Sequence, residues 1–144
     1  MSNERSKLRT YRLFKNEFGE ENYLLNIIPG KYRSAYAKFR SGTAPLKIET
    51  GRYEGLLVEN RICYNSICNE NLLIEDEKHV LMNCPVYEDL RCYLFYQASL
   101  FNVNFMQLSD DDKFIFLFTN ENMYFYTAKI CNDILLKRKC ILYS

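Results

Sequence analysis

Apolar residues recur at three- and four-residue intervals along most of this chain, and the positions between them are basic toward both ends. In "SKLRTYRLFKNEFG", Leu8, Tyr11, Phe14 and Phe18 form one face while Arg5, Arg9 and Arg12 fall on another, which predicts an amphipathic helix stopped by Gly19. A short apolar segment, "ENYLLNII", ends at Pro29. "KYRSAYAKFRSG" sets Tyr32, Ala35, Tyr36 and Phe39 at helical spacing, with Lys31, Arg33, Lys38 and Arg40 around the rest of the wheel and Gly42 closing it. "TAPLKIETGRYEGLLVENR" has no sustained period and carries Pro45, Gly51 and Gly55, so it reads as ordered loop.

The second half returns to helical spacing. "VYEDLRCYLFYQASLF" points Tyr87, Leu90, Leu94 and Ala98 inward. "FIFLF" alone suits a strand as well as a helix, but the preceding "LSDDDK" offers Ser109 as N-cap, Asp112 to close a capping box and three acids for the positive helix end, which favours helix. In the last segment Tyr124, Ala128, Cys131 and Leu135 make a stripe widened by Thr127, Ile130 and Ile134, while Lys137, Arg138 and Lys139 lie near the negative end. No repeat and no low-complexity tract interrupts this order.

At 144 residues and 48% hydrophobic, the chain is one domain able to fold without covalent staples. No run reaches the ~18 apolar residues of a membrane span, and "MSNERSKLRTYR" has no apolar signal core, which points to a soluble, intracellular protein, nuclear or cytoplasmic. In such a compartment six cysteines are not presumed to be disulfides. The net charge of +1 hides an asymmetry: ten Lys or Arg face four acids up to Lys47, four face twelve from Ile48 to Asp112, and five face two thereafter. A basic front and tail around an acidic middle suit a polyanionic partner, or a protein that pairs its own segments.

One window concentrates the available chemistry. "RICYNSICNENLLIEDEKHVLMNCP" holds the only histidine and three cysteines as C-x4-C-x10-H-x4-C: Cys63, Cys68, His79 and Cys84. Two close pairs can wrap a tetrahedral ion at low chain-entropy cost, and both spacings lie in the range of structural zinc. Three apolar core thiols beside a histidine, or a disulfide or redox role, are the competing readings. Asp76 is a candidate N-cap for a short helix starting near His79. Residues five apart on an ideal helix lie roughly 140° from each other, so His79 and Cys84 converge only if the helix ends near Asn83 and Cys84 turns back, as Pro85 favours. Glu75, Asp76 and Glu77 are candidate acceptors for the imidazole's second nitrogen. Cys92, Cys131 and Cys140 read as core thiols, with Cys92 a substitute ligand if Cys63 or Cys68 points away.

The window and its flanks, "KFRSGTAPLKIETGRYEGLLVENRIC" and "EDEKHVLMNCPVYEDLR", resemble the zinc-binding C-terminal segment of reverse transcriptases from non-LTR, LINE-like retrotransposons. The R-x-C entry, EDE-x-H core, H-x4-C-P exit and Y-x-D-L-R helix start carry the likeness, which spans nearly the whole chain. The resemblance implies that Cys63, Cys68, His79 and Cys84 are ligands of a CCHC zinc site whose family role is nucleic-acid binding during target-primed reverse transcription. The chain departs from the family in the wider spacing of its first cysteine pair and in having no fingers, palm, YxDD motif or endonuclease. It reads as a free-standing tail, a fragment or a small derived gene.

The expected fold is therefore mainly α, a small helical domain organised around a compact CCHC zinc centre. Residues 1–60 supply basic helices and ordered loop, 61–85 the zinc centre and 86–144 the C-terminal helices, in one compact unit. Four protein ligands close the coordination sphere, so Zn2+ is structural, and with the one histidine engaged no nucleophile pair remains; the chain reads as no enzyme. Asp110 to Asp112 are explained by capping, and Glu88 and Asp89 as endonuclease remnants carry little weight. The expected function is binding of RNA or single-stranded DNA through phosphate contacts from Arg5, Arg9, Arg12, Arg33, Lys38 and Arg40, with Tyr64 as a stacking candidate. The alternative is a protein-interaction or scaffolding module with purely structural zinc. Neither reading calls for a membrane or a small-molecule substrate.

Overall fold

The computed structural model describes residues 29–143. The expected first helix, with Arg5, Arg9 and Arg12, and the segment "ENYLLNII" lie outside the described residues. The helices are α1 (Gly30–Ser41), α2 (Lys47–Tyr53), α3 (Ser66–Glu70), α4 (Glu77–Met82), α5 (Glu88–Phe101), α6 (Asp110–Thr119) and α7 (Tyr124–Tyr143). Short 3-10 turns at Val58–Asn60, Pro85–Tyr87, Phe105–Gln107 and Glu121–Met123 join them. Helix accounts for 75% of the described residues and none forms a strand, so the fold is mainly α as expected. An isolated antiparallel bridge pairs Ile62 with Ile74. Among the described residues no helix is long and apolar enough to cross a membrane.

The most extensive helix pairing is between α1 and α7. The predicted face of α1 buries Ala35, Tyr36 and Phe39, and the helix ends where Gly42 takes a left-handed φ of 78°, open to a residue without Cβ. Tyr36 lies between the rings of Phe118 and Tyr124, at centroid distances of 5.1 and 5.8 Å. Its hydroxyl donates to the Phe118 carbonyl at 2.9 Å, and burial pushes the phenol well above its ordinary pKa, keeping it a donor. Ser109 caps α6 by accepting the Asp112 N–H at 3.2 Å, and Phe114, Leu117 and Phe118 turn into the core, so "FIFLF" is helical.

The stretch read as loop after Gly42 instead contains α2 and a 3-10 turn. Gly51 lies inside α2 and serves packing: a Cβ there would come 2.7 Å from Arg61 Cγ. Arg61 crosses the helix at that point to donate to the carbonyls of Ile48 at 3.0 Å and Leu56 at 2.8 and 3.0 Å. The glycine accommodates a side chain ten positions later, which local periodicity does not register.

Helix α7 is held at its far end by a buried ion pair. Glu75, fully buried, accepts from Arg138 Nη2 at 2.7 Å and Nε at 2.9 Å, and from the Lys47 N–H at 2.7 Å. Arg138 Nη1 reaches the Pro45 carbonyl at 3.0 Å. Burial alone would lower the guanidinium pKa, but the Glu75 hydrogen bonds and charge outweigh it and raise it. Of the three cations expected at the helix end, Arg138 therefore turns inward. Lys137 clips to the Val86 carbonyl and Asp89, and Lys139 stays exposed.

Arg138→Ala leaves a carboxylate buried without its counter-charge, and urea unfolding is expected to show a loss of roughly 3–5 kcal/mol. Pairing that change with Glu75→Gln should recover part of it. A single variant as stable as wild type would show that the pair does not hold α7.

Candidate metal centre

The entry to the window is built from backbone pairing. The Ile62–Ile74 bridge is extended by the Cys63 N–H donating to the Leu73 carbonyl at 2.8 Å. Asn65 then caps α3, its Oδ1 accepting from the N–H groups of Ile67 and Cys68 at 3.1 and 3.4 Å, which sets Cys68 on the single turn that follows. Leu72, at φ 56°, makes the left-handed reversal that lets the Leu73 N–H return to the Cys68 carbonyl at 3.0 Å.

The exit follows the expected path. Asp76 caps α4 through the His79 N–H at 2.8 Å, and α4 ends at Met82. The N–H groups of both Asn83 and Cys84 then turn back onto the His79 carbonyl, at 2.8 and 2.9 Å. Cys84 is extended, with φ −65° and ψ 124°, and Pro85 opens the next turn. This reversal brings a residue five positions on beside the imidazole.

Arg91, a buried side chain that sequence reading missed, fixes that reversal. It donates to the carbonyls of Leu81 at 2.7 Å, Val80 at 3.1 Å and Cys84 at 2.6 Å, satisfying the end of α4 and the ligand-bearing turn together. Glu88 braces it at 2.7 Å. The one visible signal was its place in the Y-x-D-L-R start of the next helix.

Cys63, Cys68, His79 and Cys84 thus come together, all buried, with their ligand atoms within 4.8 Å of one another. The Cys84 sulfur lies 3.9 Å from that of Cys63 and 4.0 Å from that of Cys68. A disulfide needs about 2.0 Å. Two sulfurs bound to one ion at about 2.3 Å and a tetrahedral angle lie about 3.8 Å apart, close to what is found here. Among the described residues this is the one His, Cys, Asp or Glu group arranged to hold a metal ion.

The electrostatics differ between the sulfurs. The hydrogen bond shared with Cys63, aided by His79, outweighs burial and lowers the Cys84 pKa. The same hydrogen bond, with burial, raises Cys63, and burial raises Cys68. His79 Nε2 is buried with no hydrogen-bond partner. Three clustered sulfurs beside an imidazole with an unbonded buried nitrogen fit the donor set of a metal ion that prefers soft ligands.

The neighbouring acids also hold main-chain and guanidinium groups. Glu75 holds Arg138, Asp76 accepts the His79 main-chain N–H, and Glu77 Oε2 accepts the Ala44 N–H at 3.1 Å. Tyr64 is half-buried, bonds the Tyr87 hydroxyl at 3.2 Å and lies beneath the Arg138 guanidinium at 6.0 Å, so it packs the centre. Asp111 pairs with Lys78 at 2.6 Å and Asp110 accepts from Asn83 at 3.3 Å, fastening α6 to α4.

Of the remaining cysteines only Cys131 is core; Cys92 and Cys140 are exposed. At about 100° per residue Cys92 is roughly 200° from Leu90, and Cys140 is roughly 180° from Cys131, so both face away from the buried stripes. Cys92 lies 3.6 Å from Glu88 and outside the cluster. Among the expected phosphate contacts, Lys38 is exposed and Arg33 half-buried, whereas Arg40 is buried and donates to the Phe118 carbonyl at 2.6 Å. Arg40 is thus a core anchor in place of the surface contact expected of it, because it follows Phe39 on the inward side of α1. Comparison with protein-family models, with curated proteins and with solved structures found no match to this chain.

Proposed function

We propose that this chain is a non-catalytic module in which Cys63, Cys68, His79 and Cys84 hold a structural zinc ion, and whose basic surface binds RNA or single-stranded DNA mainly through phosphates. The carrying observation is the sulfur spacing of 3.9 and 4.0 Å within a buried three-sulfur, one-imidazole group. Thiolate and imidazole donors select zinc among common divalent ions, and four protein ligands leave no position for substrate water. The ion would cross-link the Cys63–Cys68 turn to α4.

Three points support the nucleic-acid reading. Glu49, Glu75 and Glu77 are buried, so the acid count of the middle segment overstates its negative surface. Lys38 is exposed and Arg33 half-exposed on α1, and the flanks of the window resemble a retrotransposon tail. Such a module would act inside the cell, where its nucleic acid is.

A protein partner is the second reading, favoured by the apolar surface of Tyr96, Leu100, Val103 and Met106, between 57% and 87% exposed along α5 and the turn after it.

Elemental analysis of the purified chain is expected to give zinc in equimolar amount. Cys84→Ser and His79→Ala should each lose it and melt at markedly lower temperature, because metal binding and folding of the centre are coupled. Wild-type melting of both variants would remove the metal reading. Arg91→Leu keeps all four ligands but frees the carbonyls around Cys84; chelator competition should show zinc affinity lower by about 10–100-fold. For the nucleic-acid reading, anisotropy of a labelled single strand should show affinity falling linearly with salt on logarithmic axes, and Arg33→Glu should weaken it several-fold. No binding by wild type at low salt would leave the protein-partner reading standing alone.

A further inference from the structure

Between α1 and α7 runs an open groove of about 360 Å3. Lys38 and Lys139 belong to it, together with Thr50, Leu135, Leu136 and Tyr143. The two lysines and Tyr143 are exposed, Tyr143 at 75% and Leu136 at 52%. Cationic tips thus adjoin an apolar and aromatic wall.

The lysines stand apart from the others in the described residues. Lys47, Lys78, Lys129 and Lys137 each pair with a carboxylate, of Glu54, Asp111, Asp133 and Asp89 respectively. Lys31 and Lys113 lie over the rings of Tyr32 and Phe95. Lys38 and Lys139 alone among these lysines have neither an ion pair nor a ring contact with the described residues, and both face the same groove. Arg138 beside them is already committed to Glu75 and the Pro45 carbonyl, so it stiffens the wall and leaves the anion to the lysines.

We propose that this groove binds one nucleotide of a single strand, with Lys38 and Lys139 drawing in the phosphates on either side and Leu135, Leu136 and Tyr143 receiving the base. The proposal rests on the nucleic-acid reading above and gives it a place and a strand preference. An inorganic anion would have no use for the apolar wall, and an acidic peptide offers the charge without a flat π face. A duplex presents its phosphates but keeps its bases stacked; a single strand offers both together. The groove's volume lies within the range of sites that enclose a group of this size. Through Arg138 and Glu75 its wall is joined to the segment that carries His79.

The test is anisotropy titration of the full-length, zinc-loaded chain with labelled oligo-dT and with the oligo-dT·oligo-dA duplex, across a salt series. Lys38→Ala with Lys139→Ala should weaken oligo-dT binding at least tenfold and reduce the salt slope by about 1.4, two charges at about 0.7 each. Tyr143→Leu, at an exposed site beyond the core, should weaken oligo-dT binding about tenfold, leave the slope unchanged and spare the duplex. If wild type binds oligo-dT and these variants match it in affinity and slope, the groove assignment is overturned while the module reading stands. If Tyr143→Leu is silent and the lysine changes weaken duplex and single strand alike, the nucleotide assignment is overturned. Failure of wild type to bind either at low salt overturns the nucleic-acid reading itself.

Discussion

The Glu75–Arg138 pair joins positions 63 residues apart, and the rest of the arrangement is organised about it. Glu75 sits between the antiparallel bridge at Ile74 and the cap of α4 at Asp76, so whatever holds its carboxylate also holds the frame from which His79 projects. Arg138 lies three turns beyond Ala128 on the helix that packs on α1. Two ions taken from water gain little net stability from each other, yet separating them is costly, so an arrangement that parts the two elements is disfavoured. The carboxylate also accepts the Lys47 N–H at the start of α2, and through Pro45 the guanidinium reaches the loop between α1 and α2. One charge pair thereby ties α1, α2 and α7 to the Cys/His window.

The window itself would be a poor core without an ion. Three sulfurs crowd together with an imidazole nitrogen that has nothing to bond, where an apolar cluster would hold leucines. The surrounding chain spends many of its polar contacts on placing these groups: Asn65 and Asp76 cap the two short helices, and Arg91 gathers three carbonyls. Helices of five and six residues have little stability of their own. An ion held by both members of each ligand pair would supply the cross-link that these short elements lack.

Much of this was readable one element at a time. The stripe of Tyr32, Ala35, Tyr36 and Phe39 with Gly42 behind it specified α1, Ser109 decided helix over strand for "FIFLF", and Asp76 with Pro85 foretold how Cys84 turns back. What escaped depends on distant partners. Arg40, Arg91 and Arg138 look like surface cations in any local window, and only carbonyls and a carboxylate up to 93 residues away turn them inward. Gly51 looks like a helix breaker until Arg61 is seen to need its missing Cβ. The exposure of Cys92 and Cys140 was accessible from helical angle alone, and counting cysteines as generic core residues concealed it.

Leu72 has a bearing on how the molecule comes apart. A branched side chain in the left-handed region costs about 1–2 kcal/mol, and this leucine is 72% exposed, so no packing of its own offsets the strain. The bonds around it, from the Leu72 N–H to the Asn69 carbonyl, from Cys63 to Leu73 and from Leu73 to Cys68, keep the backbone there. The tip of this turn is therefore a loaded spring, at which amide exchange and proteolytic nicking are expected to begin before the long helices have loosened.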